Sequence, residues 1–332
     1  MSSVTIKDIA RALNISVSTV SRALRDSYDI NAGTKKRVVE YAEKMNYRPN
    51  PIALSLKENK SRSIGVIVPE IANTFFSQAI NGIEEIACER GYPVVIFQSH
   101  ELLEREIANI RHLFERRVDG LLISLSGSHK DISHLEEYRR NNFPIVYFDR
   151  VPETAEAHKV VADNFEGAFK ATEHLIIRGK KRIAHITSPP TLSITQERMA
   201  GYKSALQKHG LPVREELIRY CGFRPEEAAE AICSLLETER PDAFFMGSDR
   251  LALDCFEAYK KQAQGRPEDI TLVGFTNLSV AHLLEPPLST VVQPAISIGR
   301  KAAEILLDEI ENKRRGKGFE TVVLGTELNI RP

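Results

Sequence analysis

From residue 63 onward the chain carries short apolar runs that lack the in-out alternation of a half-exposed strand. Residues 63–69 read Ser-Ile-Gly-Val-Ile-Val-Pro, and similar runs return at 93–97, 120–125 and 144–148. A strand that is apolar on both sides must be covered on both sides, which places it inside a parallel sheet. Helical patterns fill the intervals, among them 76–90 and 105–116, and supply the covering layers. After the strand run at 160–163 the series restarts. Strand runs at 183–187, 218–221, 243–246 and 271–275 alternate with helices at 196–209, 225–237 and 250–262. Two successive series predict two doubly wound subdomains. The last forty residues add a strand at 289–293, a long helix at 296–314 and a final strand at 321–330.

The first sixty residues have another texture. Thr5 is placed to cap a helix, with Asp8 three residues later completing a capping box. Ile6, Ile9, Ala10 and Leu13 give that helix one apolar face. Asn14 suits a tight left-handed turn. Ser16 then caps a second helix whose inward face is Val20, Ala23 and Leu24 and whose outward face is Val17, Ser18, Ser21, Arg22 and Arg25. Asn31 caps a third, 32–46, with Val38, Val39, Tyr41, Ala42 and Met45 available for packing. Small hydroxyl residues at the start of the second helix allow close approach to base edges in a DNA major groove, and Arg22 offers a guanine a two-pronged contact. An ordinary surface helix pair is the competing reading.

Charge distribution favours the DNA reading. The chain as a whole is neutral, yet residues 1–62 hold twelve Lys and Arg against six Asp and Glu, and the remainder carries the balancing acidic excess. A positive head on a negative body presents one end to phosphate. The basic run Lys313-Arg314-Arg315-Gly316-Lys317 reads as a solvated helix end. The four cysteines, at 88, 221, 233 and 255, have neither metal-ligand nor redox spacing and read as reduced packing residues. No apolar run approaches the roughly 18 residues of a membrane-crossing helix. No signal peptide is expected, since the first helix begins almost at once.

Three motifs carry a family resemblance: Val-Thr-Ile-Lys-Asp-Ile-Ala at 4–10, Ser-Thr-Val-Ser-Arg at 18–22 and Asn-Tyr-Arg-Pro-Asn at 46–50. Together they resemble the lactose-repressor (LacI/GalR-type) transcription regulators, and the resemblance follows the whole chain in order and length. It implies an α/β fold with an N-terminal three-helix helix-turn-helix head (1–48) and a hinge helix with linker (49–62). Two doubly wound parallel-sheet subdomains of the periplasmic-binding-protein-like type follow, one from 63–161 plus 290–320, the other from 162–289 plus 321–332. It also implies base contacts from Val17, Ser18 and Arg22, and phosphate or flanking contacts from Thr5, Ser16, Thr19, Ser21, Asn31 and Thr34. Ala53 would lie in the minor groove, and Leu56 resembles the apolar lever that kinks the duplex. Pro51 opens this hinge where proline costs nothing, and so short a helix is expected to form only against its dimer mate on DNA.

Ligands of open parallel sheets bind at the carboxyl ends of the strands. That rule nominates Asn73, Phe75, Asp149, Asp163, Arg198, Phe223, Ser248 and Thr276 for a small-molecule effector in the cleft, an arginine and an aromatic among hydrogen-bonding groups suiting a sugar, sugar phosphate or similar polyol. Two departures from the family stand out. Thr276 in Gly274-Phe275-Thr276-Asn277 replaces an aspartate of many relatives, and Ser248 replaces an asparagine before Asp249. The first leaves room for a more anionic ligand beside Arg198.

The expected function is that of a ligand-responsive, sequence-specific DNA-binding transcription regulator, a repressor by analogy. It would bind a palindromic operator as a homodimer in the cytoplasm, without cofactor, metal or membrane. The alternative is a cytosolic solute-binding or enzymatic module fused to a DNA-binding head. The sequence has no phosphate-binding Gly-rich loop, nucleophile elbow or His/Cys cluster that an enzyme would call for.

Overall fold

The computed structural model describes residues 4–24, 26–47, 61–127, 132–153, 156–262, 270–313 and 318–331. Pro51, Ala53 and Leu56 of the expected hinge, together with Arg25, lie outside the described residues. The chain divides into two compact units, residues 1–61 and 62–332.

In the first unit, α1 (Ile6–Leu13), α2 (Val17–Ala23) and α3 (Ala32–Lys44) enclose a core in which Ile9, Val20 and Val38 are fully buried, backed by Ala10, Ala23 and Ala42. Three small residues at the crossings let such short helices approach closely. Val39 and Met45 are 39% and 38% exposed rather than part of this core. The turn between α1 and α2 is made by Asn14 in the left-handed region, with φ 51° and ψ 47°.

The second unit holds two six-stranded sheets. The first contains β1 (Ile64–Val68), β2 (Val94–Gln98), β3 (Gly120–Ile123), β4 (Ile145–Phe148), β5 (His158–Ala162) and β11 (Thr321–Leu324), in the order β11-β5-β4-β3-β1-β2 and parallel throughout. The second contains β6 (Ile183–Thr187), β7 (Ile218–Tyr220), β8 (Ala243–Met246), β9 (Thr271–Phe275), β10 (Ser289–Val292) and β12 (Glu327–Asn329), in the order β12-β10-β9-β8-β6-β7. Here β12 alone runs antiparallel, against β10. The helices are α4 (Thr74–Glu89), α5 (Leu103–Glu115), α6 (Ser133–Arg140), α7 (Asn164–Ile177), α8 (Ser193–Lys208), α9 (Pro225–Thr238), α10 (Asp249–Gln262) and α11 (Ala295–Ile310).

Two expected boundaries are corrected. The strand at 289–292 pairs in parallel with β9 and so belongs to the second sheet, not the first. The stretch 321–324 pairs with β5 in the first sheet, and only 327–329 belongs to the second. The chain therefore passes between sheets after Ala162, in keeping with the boundary expected at 161, and then after Val292 and after Leu324 rather than at 290 and 320. The reason is pairing: Thr290 and Val291 lie in register with Gly274 and Phe275, and apolar runs of this length carry no mark of the neighbour they pair with. After β10 the chain returns to the first subdomain as α11, which packs against α4. Gly82 and Gly299 set that crossing, since a Cβ on either would lie 2.1 Å from Ile296 O or 2.0 Å from Ala79 O. Among the described residues no helix is long and apolar enough to cross a membrane.

Candidate functional site

The head presents a hydroxyl-lined helix end. Ser16 Oγ accepts from Thr19 N at 3.0 Å and lies 2.8 Å from both Ser18 Oγ and Thr19 Oγ1. Thr5 caps α1 in a reciprocal box with Asp8, and Asn31 accepts from Gly33 N at 2.8 Å to cap α3. Capping leaves these hydroxyl and amide groups at the surface while it satisfies donors that the helix itself cannot. Val17 is 41% exposed, and Ser18 and Arg22 are exposed with it. Thr19, Ser21 and Thr34 are half-buried. Arg22 does not stand free: its Nη1 donates to Asp29 Oδ2 at 2.6 Å, and Ser27 Oγ holds the other oxygen of that carboxylate at 2.6 Å. A contact to guanine must compete with this exposed pair, which is worth little in water.

In the second unit the carboxyl ends of both sets of strands meet in a cleft. Three non-glycine residues at the ends of β2 and β4 adopt left-handed backbone: His100, Glu101 and Asp149, with φ of 49°, 62° and 59°. Such strain concentrates where a structure is built for function. Asp149 is buried, and burial raises its carboxyl to about 6 against the pull of Arg150 and Arg198. Arg150 is also buried, and Glu101 compensates it at 2.8 and 2.6 Å.

Arg198 is the centre of the cleft. It is 2% exposed, and its guanidinium carbon lies 3.7 Å from the Phe275 ring centroid. Nε and Nη2 donate to Asn164 Oδ1 at 2.9 and 2.8 Å, and Nη1 donates to Gly247 O at 2.6 Å. Burial lowers its pKa to about 10 despite the fields of Asp149, Asp249 and Glu197. Among the described residues no carboxylate lies within ion-pair distance of it, so its charge is held by neutral acceptors and a ring face.

The other nominated residues fall into two groups. Asn73 and Asp163 act as helix caps, accepting from Phe75 N at 2.9 Å and Glu166 N at 2.9 Å, and Ser248 accepts from Leu251 N at 3.4 Å where α10 begins. Phe75 is buried and stacks edge-on against Phe76 at 5.3 Å. Phe223 lies across the cleft from the first subdomain: a Cβ on Gly127 would meet its ring at 2.1 Å, and Arg150 sits 5.7 Å from its centroid. Thr276, expected to face a ligand, is fully buried and donates to Asp249 Oδ1.

Sequence reading left Asn164, Asp249, Asn277 and Gln78 out of the site. Asn164 and Asp249 could have been found from position, since each opens a helix directly after a strand of the cleft. Asn277 and Gln78 meet at 2.9 Å across 199 residues, and no local pattern marks that pair.

A three-helix head with an exposed, hydroxyl-capped second helix, followed in the same chain by a two-sheet cleft with a buried arginine, defines a DNA-binding regulator with a small-molecule domain. Residues 5–50 match the family described as bacterial regulatory proteins, lacI family, and residues 61–322 match periplasmic binding proteins and sugar binding domain of LacI family. The chain belongs to the LacI family of helix-turn-helix transcriptional repressors. It is 35% identical over 328 residues to the HTH-type transcriptional repressor CytR of Escherichia coli (strain K12), covering 98% of this chain and 95% of that one. It is 34% identical over 314 residues to the HTH-type transcriptional repressor PurR of Vibrio atlanticus (strain LGP32), covering 94% of each. A solved complex of the transcriptional regulator CelR with cellobiose superposes with a TM-score of 0.72 at 29% identity, over 99% of both chains. The lac repressor dimer bound to operator and the anti-inducer ONPF shares the fold at a TM-score of 0.85 and 24% identity, over 99% of this chain and 98% of that one.

Proposed function

We propose that this repressor reads a palindromic operator as a homodimer, and that a sugar or sugar derivative in the cleft sets its affinity for DNA. The observation that carries the reading is the surface of α2, where Val17, Ser18 and Arg22 stand exposed beside a capped helix end. In this reading Val17, Ser18 and Arg22 touch bases, while Thr5, Ser16, Thr19, Ser21, Asn31 and Thr34 position the head on phosphates. Ala53 and Leu56 act in the minor groove. Two heads on one two-fold axis match a two-fold operator. The protein works in the cytoplasm, associated with the nucleoid when bound to DNA, and has no catalytic role.

The effector lies against Arg198 and Asp149, with Asn73, Phe75, Asp163, Phe223, Ser248 and Thr276 around it. The sugar-binding description of the matched family and the cellobiose in the CelR complex support the ligand class. Closing or opening the cleft moves the first subdomain, whose β1 follows directly on the linker, and so alters the pairing of the hinges. A coupling of about 1–3 kcal/mol is typical of such regulators.

The test is a binding titration on an operator recovered by selection from random duplexes, with the wild type and Arg22→Ala. Arg22→Ala should lose about 1–3 kcal/mol of discrimination between operator and scrambled DNA while keeping salt-sensitive general binding. Equal losses on both duplexes would make Arg22 a phosphate contact. Failure to recover any preferred duplex would refute the reading as a whole.

A further inference from the structure

Asp249 joins the two halves of the cleft. Its Oδ2 accepts from Phe75 N at 3.2 Å, in the first turn of α4 of the first subdomain. Its Oδ1 accepts from Asn277 N at 2.7 Å and from the Thr276 hydroxyl, both of the second. A carboxylate at the amino end of a sixteen-residue helix also meets the positive end of the helix dipole. Asn277 reinforces the junction: its Nδ2 donates to Gln78 Oε1 of α4 at 2.9 Å and to Gln293 O at 2.8 Å, and its Oδ1 accepts from Gln293 N at 2.7 Å. At the opposite lip, Val151 N donates to Ser193 Oγ at 3.3 Å and Thr191 Oγ1 donates to Gly127 O at 3.2 Å. An opening of about 30 Å³ remains at this lip, bordered by Arg150, Pro152, Thr191 and Ser193.

We propose that Asp249 is a built-in clasp that holds the cleft closed without an effector, and that Thr276 permits it. A hydroxyl at 276 donates to the clasp; an aspartate there would place a second carboxylate against the first and repel it. Asp249 is thus a positioning residue. It sets the resting share of the closed form, against which any effector must act by differential affinity. The proposal deepens the effector reading above, but it concerns the free protein, so its test needs neither DNA nor effector.

Hydrogen exchange of the full chain, read by mass spectrometry, compares wild type with Asp249→Asn, Thr276→Val and Thr276→Ser, with the radius of gyration measured by X-ray scattering alongside. Asn at 249 turns an amide N–H₂ toward one of the three donors and so breaks at least one bond. In Asp249→Asn, exchange in the peptide 149–153, remote from the substitution, should rise about tenfold, the factor equivalent to 1.4 kcal/mol. The radius of gyration should grow, while β3 and β8 exchange as before. Thr276→Val should show a smaller rise in the same peptide, and Thr276→Ser should behave as wild type because it keeps the hydroxyl. Unchanged exchange at 149–153 in both Asp249→Asn and Thr276→Val would overturn the proposal. So would a rise spread evenly over β3 and β8 with a lower Tm, which would mark Asp249 as a structural residue only. If Asp249→Asn does not fold, Thr276→Val against Thr276→Ser decides the matter alone.

Discussion

The recognition helix and the ligand cleft both set polar groups on an apolar scaffold, yet they are assembled in opposite ways. On α2 the partners are near in sequence: Ser16 meets Thr19 three residues on, and Arg22 meets Asp29 seven residues on. In the cleft Asp249 reaches a partner 174 residues away, Asn277 one 199 residues away, and Arg150 one 49 residues away. The groups on the head are exposed and replaceable in water. Those of the cleft are buried and depend on one another. Substitutions in the head should therefore alter binding while shifting stability by about 1 kcal/mol or less, whereas substitutions in the cleft should shift the stability of the fold by more.

Arg198→Ala is the strongest attempt to break this contrast. It strands Asn164 Oδ1 and Gly247 O and uncovers the Phe275 face. Denaturant unfolding of the second unit should show a loss of about 3 kcal/mol or more. A loss below about 0.5 kcal/mol, the range of surface substitutions, would put Arg198 in the same class as the head residues.

Acidity sharpens the comparison next, because the cleft buries titratable groups. Burial holds Asp149 at about 6 from an ordinary 3.8, so the folded chain binds that proton more tightly than the unfolded one. Its contribution to stability is therefore present below about pH 4 and lost as pH rises to about 6. Asp149→Asn also suits the left-handed backbone. It should stabilise the protein at pH 7 by up to roughly 3 kcal/mol, with the gain shrinking to nothing near pH 4. His185 runs the other way: burial pushes it down to about 4 from 6.5, so its contribution is lost as pH falls through that window. Thermal unfolding of Asp149→Asn and wild type between pH 4 and 7 checks the sign. A gain that grows toward acid would contradict it.

Smaller effects belong to the head. Ser16→Ala removes the cap of α2 and should cost about 1 kcal/mol, seen as a lower unfolding midpoint of the first unit. Val17→Ala removes an exposed methyl pair and should change stability by less than about 0.5 kcal/mol, while shifting the preferred operator base in a selection experiment. A stability loss as large as that of Arg198→Ala would mean that Val17 packs rather than reads.

The difference in assembly also explains what could be read in advance. The caps at Thr5, Ser16 and Asn31, the left-handed Asn14 and the buried Val20 and Ala23 follow from residues within one turn of each other. The strands at 183–187, 243–246 and 271–275 were legible to the residue because both of their faces are buried. Arg198 was legible as a group at the cleft, but not its partners. Thr276 was read as facing a ligand, and its bond to Asp249, 27 residues back in the chain, left no local signal. The routing of 289–292 and 321–324 was misread because an apolar strand of four residues fits either sheet.

What the sequence by itself determined is the alternation of strand and helix, the capped helix pair with its exposed arginine and the charge that sets head against body. Each follows from interactions that fall off within a few residues or from summed composition. Tertiary structure alone decided which sheet receives the last strands, which carboxylate meets Thr276, and that Arg198 rests on Asn164 and Phe275 rather than on an acid. These choices turn on contacts between groups distant in the chain. Burial makes each hydrogen bond obligatory without leaving a local mark of which partner supplies it.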